Sequence, residues 1–198
     1  MRDMGFFVVA DSRIFLQTRY HHKNLKIFGV WRMIREFARK LAAFTEFVDY
    51  IAVETEFRRG KFNSSAEILK NHSVMALVRV CSSEAELLVK LIRPRREITA
   101  TIGSRIQSTG KIWRVFTKSE ILEFVTAVDD KNKIYQLNPP IVPNLLILET
   151  LFEEFAMNFI KVKFKTFITA GEPLFLNVYE NKFEIKSASV RKISGKFS

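Results

Sequence analysis

One cysteine, Cys81, is all that this chain of 198 residues contains. A single thiol excludes an internal disulfide and any zinc site built from several cysteines. The apolar stretch before it predicts a buried thiol near the end of a strand, where cysteine behaves as a small apolar side chain. A lone cysteine also fits a reducing compartment, so we expect a cytoplasmic protein.

Proline, glycine and long apolar runs are scarce as well. With five prolines and seven glycines, few positions break helices or strands, so most of the chain should be regular structure. No stretch approaches the roughly 18 apolar residues that a membrane-spanning helix needs. The apolar run over Gly5–Ala10 is too short for a signal peptide and is interrupted by charge. We expect no membrane partner.

Histidine is equally rare. The three histidines, His21, His22 and His72, fall in polar stretches that predict loops. Adjacent histidines do not share a face of regular structure, so a metal pair at His21 and His22 is not expected. The chain has no glycine-rich dinucleotide turn and no Walker A loop. We therefore expect no cofactor and no metal ion.

Positive charge, in contrast, is abundant. Lysine and arginine number 32 against 21 acidic residues, which gives a formal net charge of +11. Such an excess on a short chain predicts an acidic partner. Hydrophobic residues make up 47% of the chain and phenylalanine occurs 19 times, which is ample material for a core and excludes global disorder. The richness in lysine and glutamate favours a thermophilic source.

Helices are predicted from apolar spacing and from capping motifs. An apolar stripe with alternating steps of three and four residues runs from Val30 to Ile51 and indicates one long amphipathic helix. Ser83-x-x-Glu86 and Thr117-x-x-Glu120 are capping boxes, which mark helix starts. We expect helices over residues 30–51, 64–71, 83–92, 117–128 and 144–157.

Strands are predicted where residues alternate between turn signals. The pattern indicates hairpins in the N-terminal part and a three-stranded antiparallel meander over residues 160–168, 174–179 and 182–188. The basic residues after the meander predict a mobile tail. The expected fold class is α+β, in which antiparallel hairpins and the C-terminal meander pack with four or five helices.

The one proline-rich stretch, residues 138–143, predicts a stiff connector. It would separate an N-terminal α+β region, residues 1–137, which contains the long basic helix, from a C-terminal helix and meander, residues 144–198. One continuous domain is the alternative.

Three basic clusters favour an anion-binding surface, because arginine and lysine hold phosphate and an aromatic ring stacks on a base. Each also has a structural explanation: a solvated hairpin, an edge strand protected by lysines, or a solvated helix face. The candidate nucleic-acid-binding residues are Arg93, Arg95, Arg96, Arg105, Lys111, Trp113 and Arg114 around one hairpin, Lys161, Lys163 and Lys165 on a strand, and Arg32, Arg35, Arg39 and Lys40 on the long helix.

One acidic arrangement resembles the PD-(D/E)xK nuclease pattern: Glu172-Pro173 followed by Glu184-Ile185-Lys186. The resemblance implies that Glu172 and Glu184 bind Mg²⁺, that Lys186 positions a water, and that Glu149 or Glu153 is a further acid. The order of the proline and the acid is reversed relative to the family.

These observations favour a nucleic-acid-binding accessory subunit without catalytic residues of its own. The expected partners are DNA or RNA and other protein subunits. The alternatives are an Mg²⁺-dependent nuclease of the type above, and a structural scaffold subunit of a larger nucleoprotein complex.

Overall fold

The computed structural model describes Gly29, residues 32–95, Ile98 and residues 111–198. These residues contain nine strands: β1 (Ile51–Arg59), β2 (Ser65–His72), β3 (Met75–Cys81), β4 (Ala85–Ile92), β5 (Arg114–Val115), β6 (Phe159–Phe164), β7 (Pro173–Tyr179), β8 (Lys182–Ser187) and β9 (Val190–Phe197). They form one sheet in the order β2-β3-β4-β1-β6-β9-β8-β7-β5. All neighbouring strands are antiparallel.

Three α-helices occur in the same part of the chain: α1 (residues 32–42), α2 (Lys118–Val128) and α3 (Asn144–Glu154). Short 3-10 helices cover Thr45–Phe47 and Lys133–Gln136. Every residue of α3 from 146 to 152 is buried. A helix that is buried on all sides belongs to the interior of a protein, so α3 is a central core element.

The chain folds as two similar halves. In the first, α1 precedes β1 to β4, which lie in the order β2-β3-β4-β1; in the second, α3 precedes β6 to β9, in the order β7-β8-β9-β6. The halves join where β1 pairs with β6, with Thr55 opposite Val162. One helix and four strands therefore recur, and the pairing makes the sheet continuous.

The helices cover the inner face of the sheet, where buried residues alternate along the strands. Phe57 of β1 lies between the two halves: its ring centroid is 6.4 Å from that of Phe37 on α1 and 4.6 Å from that of Phe152 on α3. All three side chains are buried. Aromatic contacts of this kind add to the free energy of burial, so this cluster holds both halves against one core.

The predicted fold class is wrong. The sheet has nine strands, and three α-helices occur among the described residues, instead of a three-stranded meander with four or five helices. Residues 64–71 and 83–92, predicted as helices, form β2 and β4. Hydrogen bonds from the backbone N–H groups of Glu84 and Ala85 to the Ser82 hydroxyl make a turn between β3 and β4 instead of a helix start.

The ends of the chain segments also differ from the prediction. The long helix stops at residue 42, and the apolar residues that follow belong to a 3-10 helix and to β1. The supposed mobile tail is β9, which pairs with both β6 and β8 and therefore separates two strands of the predicted meander. The N-terminal hairpin and most of the loop before Lys111 lie outside the described residues.

The capping box at Thr117 is confirmed. The Thr117 hydroxyl accepts the backbone N–H of Glu120 at 3.2 Å, and the Glu120 carboxylate accepts the backbone N–H of Thr117 at 2.7 Å. Both groups are donors that the first helical turn cannot satisfy internally. The buried thiol of Cys81 at the end of β3 is confirmed as well.

Thr117→Ala is expected to lower the free energy of unfolding by about 1 kcal/mol, because alanine leaves an N-terminal N–H of α2 without its acceptor. Chemical denaturation measures the change. Thr126→Ala, at an exposed position of the same helix, is the matched control and should cost nothing, since alanine is the better helix former. Equal losses in the two variants would contradict the assigned cap.

No helix within the described ranges is long and apolar enough to cross a membrane.

Candidate functional site

Two adjoining cavities lie where the two halves meet, near the start of β1. The first cavity has a volume of about 270 Å³ and lies between the end of α1, the segment that follows it, and residues 130–145. The second cavity has a volume of about 440 Å³ and lies beside β1, β4 and the end of β6. The two share four lining residues, Ile51, Ala52, Asn144 and Phe167.

The wall of the first cavity is mainly apolar. Helix α1 contributes its last turn, and an aromatic cluster closes the far side, where the Phe47 ring lies 5.1 Å from the Tyr50 ring and 6.0 Å from the Phe44 ring. The sheet and helix contribute Ala38, Leu41, Ala42, Val89 and Leu91. Such walls suit an apolar ligand.

Two asparagines attach the loop between α2 and α3 to the start of β1. The Asn132 side chain donates to the carbonyl of Tyr50 at 2.9 Å, and the Asn144 side chain donates to the carbonyl of Ala52 at 2.5 Å. The β1–β4 register shifts between Ala52 and Glu54. A strand irregularity frees backbone groups for such contacts, so the loop is fixed as one wall of the first cavity.

The ionisable residues that line the first cavity in the described chain are Asp130, Tyr135, Lys131 and Tyr50. Burial raises the pKa of Asp130, the N–H of Asn132 opposes this, and the charge of Asp129 raises the pKa further. Burial raises the pKa of Tyr135 well above 10, and the carboxylate of Asp130 adds to the shift. The phenol therefore stays protonated and can donate a hydrogen bond beside the carboxylate.

Helix α3 begins at the boundary of the two cavities. Its N-cap is Pro143, which makes no side-chain cap, and the backbone N–H groups of Leu146 and Ile147 bond to the Pro143 carbonyl. The N–H groups of Asn144 and Leu145 precede the first intrahelical bond, and both residues line the first cavity. A carbonyl oxygen that gains negative charge is stabilised by such donors and by the positive end of the helix dipole.

Phe167, the aromatic residue that lines both cavities, is held in place through its backbone carbonyl. Lys192 donates from Nζ to the Phe167 carbonyl at 2.9 Å and forms an ion pair with Glu172 at 2.8 Å. Glu172 also accepts the backbone N–H of Thr169 at 3.0 Å. The largely buried ion pair between Lys192 and Glu172 therefore holds Phe167, and with it the boundary between the two cavities, in place.

The residues of the nuclease resemblance make ion pairs instead of a metal site. Glu184 pairs with Arg191 at 2.8 Å and with Lys186 at 3.4 Å. Glu172 pairs with Lys192 and accepts the N–H of Thr169. Across the described ranges, no group of three acidic, histidine or cysteine side chains could hold a metal ion. Glu149 is paired with Arg35, and Glu153 is exposed.

The predicted lysine strip on the strand faces carboxylates. Lys161 of β6 lies 2.7 Å from Glu54 and 3.0 Å from Glu56 of β1. Lys163 lies 4.0 Å from Glu54, and Lys165 is exposed just beyond the strand. Strand β6 is central, because it pairs with β1 and β9. Lys161 and Lys163 therefore take part in cross-strand pairs, so they form neither a free basic strip nor the protection of an edge strand.

The basic residues of α1 separate from one another. Arg35 is partly buried against Glu149, with Nε–Oε2 and Nη2–Oε1 distances of 3.3 Å each. Arg39 donates to the Ala127 carbonyl at 3.0 Å, and Lys40 donates to the Cys81 carbonyl at 2.8 Å. Arg32 remains exposed. Three of the four candidates thus connect α1 to its surroundings.

The structure describes only part of the basic cluster that the sequence analysis places around one hairpin. Arg96 and Arg105 lie outside the described residues. Trp113 donates to Glu154 at 3.2 Å and Arg114 pairs with Glu120. The remaining three, Arg93, Arg95 and Lys111, are exposed. Of the five members that the structure describes, Trp113 and Arg114 thus bond to glutamates of this same chain.

The sequence did not reveal the groups that the cavity wall contains. The sequence patterns assign no role to Asp130, Asn132, Tyr135 or Asn144. The local signal is two carboxylates and two asparagines in a loop between amphipathic helices. Composition alone does not distinguish loop residues that form a site from loop residues that only connect two helices.

No family model and no curated protein matches the chain. Solved structures do match. HtdX of Mycobacterium tuberculosis is similar with a TM-score of 0.56 and 13% identity, over 83% of this chain and 86% of that one. A MaoC-like dehydratase from Phytophthora capsici has a TM-score of 0.49 at 14% identity, over 76% and 69% of the two chains. An acyl-CoA thioesterase II, TesB2, from Mycobacterium marinum has a TM-score of 0.46 at 9% identity, over 87% and 90%.

The likeness to HtdX shows a shared fold, the hotdog fold, in which an antiparallel sheet surrounds a helix. Together with the ion pairs described above, this finding overturns the predicted nucleic-acid-binding subunit. The nuclease and nucleoprotein-scaffold alternatives are corrected for the same reason, and nucleic acid is removed as a partner.

Proposed function

We propose that this protein is an enzyme that binds an acyl thioester and hydrolyses it. The observation that supports this best is the first cavity, a mainly apolar space whose lining includes Asp130, Tyr135 and the first residues of the buried helix α3. A largely apolar pocket with few polar groups and an ionisable residue of shifted pKa is a general mark of an active site.

The acyl chain would occupy the first cavity. Its volume of about 270 Å³ is close to the lower end of the roughly 300–1,000 Å³ typical of ligand pockets. Each methylene that leaves water for such a wall contributes about 0.8 kcal/mol. A linear acyl group of moderate length is the ligand that this space favours.

The carbonyl group would lie at the boundary of the two cavities. There its oxygen could accept hydrogen bonds from the N–H groups of Asn144 and Leu145, and the phenol of Tyr135 is a further donor of the same wall. These donors are fixed by α3 and by the asparagine contacts to β1. Preorganised donors stabilise the oxyanion of a tetrahedral intermediate more than they stabilise the substrate.

Asp130 is the candidate general base. Its carboxylate would take a proton from a water molecule while the water oxygen bonds to the carbonyl carbon. The tetrahedral intermediate then collapses with cleavage of the carbon–sulfur bond. The proton on Asp130 passes to the departing thiolate, so the products are a carboxylic acid and a thiol and the carboxylate base is restored. A carboxylate whose pKa is raised by burial is a stronger base than an exposed one.

The leaving group favours a thioester over an amide or an oxygen ester. The hydroxyl-bearing residues Thr45 and Thr166 line the two cavities in the described chain, but neither is hydrogen-bonded to a base there, so we assign the attack to water. A thiol leaves as thiolate with a pKa of about 8.5. Direct attack by water needs no acid to protonate that leaving group.

Hydrolysis of an acyl thioester series tests the proposal. Ala42→Phe, which places a ring at a wall position of the first cavity, should lower kcat/KM for long chains by about fourfold for each methylene that no longer fits. It should leave short chains nearly unaffected. Ala43→Phe is the matched control, since Ala43 is exposed and does not line the cavity.

Identical chain-length profiles in the two variants would show that the first cavity does not hold the acyl chain. Failure of the parent protein to hydrolyse any thioester of the series would overturn the proposed reaction. The cytoplasmic location expected from the single cysteine stays part of this proposal.

A further inference from the structure

The second cavity has a different chemistry from the first. Its walls include Val53, Ile92, Pro94 and Phe164, and its one ionisable lining residue among the described positions is Lys165. Lys165 follows β6 directly and its backbone N–H donates to the Lys192 carbonyl at 2.8 Å. This hydrogen bond to β9 holds the backbone of Lys165 in place, and with it the base of the side chain.

The charge of Lys165 has no partner of opposite charge within the described chain. None of the described carboxylates forms an ion pair with it, in contrast to those that pair with Lys161 and Lys163 of β6. Arg93 and Arg95 are exposed on either side of the lining residue Pro94. Arg93 is oriented by the Tyr50 ring, with 5.9 Å between the guanidinium carbon and the ring centroid.

The two cavities meet at Asn144, where the first N–H groups of α3 are found. A thioester whose carbonyl is bound there would extend in two directions, because the acyl chain and the sulfur are separate substituents of the trigonal carbonyl carbon. The apolar first cavity suits the acyl chain, so the thiol half would extend into the second cavity towards Lys165.

We propose that the second cavity binds an anionic thiol half of the substrate and that Lys165 is the residue that selects it. The inference rests on the proposed function, and it adds an orientation of the bound ligand and a specificity residue. Phosphate and carboxylate groups are both compatible with a lysine, which acts as a point charge on a flexible stem.

Steady-state kinetics on three thioesters of one acyl group separate the possibilities: the CoA thioester carries phosphates, the glutathione thioester carries carboxylates, and the N-acetylcysteamine thioester is uncharged. Lys165→Ala should raise KM about fivefold for the anionic substrate at low ionic strength, as expected for an exposed charge pair. The effect should shrink as salt is added. The uncharged substrate should be unaffected in kcat and KM.

Lys163→Ala is the matched control. Lys163 is exposed, lies two residues earlier and does not line the cavity, so its loss removes the same charge without removing the contact. Lys165→Glu should raise KM further than Lys165→Ala, because it replaces attraction by repulsion. If KM rises for the CoA thioester, the bound group is a phosphate. If KM rises for the glutathione thioester, the bound group is a carboxylate.

Unchanged KM for both anionic thioesters in Lys165→Ala would overturn this inference and leave the proposed hydrolysis intact. Equal changes in Lys165→Ala and Lys163→Ala would overturn it as well, since the effect would then be one of net charge. Calorimetric binding of free CoA and of glutathione gives the test a readout without hydrolysis: loss of binding in Lys165→Ala supports the site, and no binding of either to the parent rejects it.

Discussion

Glu149→Ala should lower the free energy of unfolding by about 3–5 kcal/mol. Glu149 lies in the buried centre of α3 with 4% of its side chain exposed, and its carboxylate pairs with the Arg35 guanidinium of α1, which is 12% exposed. Removing the carboxylate leaves a positive charge in a site from which water is largely excluded. The guanidinium carbon also lies 5.6 Å from the Phe124 ring centroid of α2, so all three helices are affected.

Urea denaturation measures this loss, and two further variants interpret it. Glu153→Ala removes an exposed carboxylate from the same helix and should change stability by less than about 0.5 kcal/mol. The double variant Arg35→Met, Glu149→Leu removes both charges and should recover much of the loss, because a buried pair is often replaceable by apolar residues. A Glu149→Ala protein as stable as the parent would show that the pair contributes nothing to the packing of the helices.

The sequence predicted elements whose signals are local. The start of α2 depends on Thr117 and Glu120, which are three residues apart, and the prediction was confirmed. The same kind of motif failed at Ser83, where the Ser82 hydroxyl instead accepts hydrogen bonds from a turn. The alternation of buried Ala85, Leu87 and Val89 at period two was the decisive signal for β4, and the capping motif obscured it.

Interactions between distant parts of the chain could not be predicted from composition. Arg35 and Glu149 are 114 residues apart, and Lys161 and Glu56 are 105 apart. A net charge of +11 reports on the excess of cations and gives no information on which cations are paired. The interpretation of the basic clusters as a nucleic-acid surface failed for this reason.

The wall of the first cavity also depends on contacts between distant parts of the chain, which the sequence does not predict. Asn132 reaches the carbonyl of Tyr50 across 82 residues, and Asn144 reaches that of Ala52 across 92. Each looks like a turn or helix-start residue in sequence. The site forms only when the sheet brings the first half of the chain against the loop that precedes α3.

Asp130→Asn is expected to reduce kcat for thioester hydrolysis by about 10²–10⁴-fold, the usual contribution of a general base. The substitution is nearly isosteric, and an amide oxygen can replace the carboxylate oxygen that accepts the backbone N–H of Asn132 at 3.0 Å. Binding of substrate should therefore persist while proton transfer is lost. Kinetics of the two proteins on one thioester measure the effect.

The same carboxyl predicts a pH dependence with a definite sign. The pKa of Asp130 is raised above the ordinary value of 3.8, chiefly by burial. The folded protein therefore holds this proton more tightly than the unfolded chain does, so the carboxyl lowers stability as pH rises from 3.8 through the raised pKa. Hydrolysis by the parent should increase over that interval, because the base form becomes populated.

Asp130→Asn should consequently combine this reduced kcat with a higher stability than the parent at neutral pH, since the amide has no charge to desolvate. Asp129→Asn is the matched control: it removes a neighbouring carboxylate that is 82% exposed, and asparagine tolerates the left-handed backbone found there, with φ of 55°. It should retain nearly full activity. An Asp130→Asn protein that hydrolyses thioesters at the parent's rate would remove Asp130 as the base, and one that is less stable at neutral pH would show that the carboxylate supports the loop more than its burial opposes it.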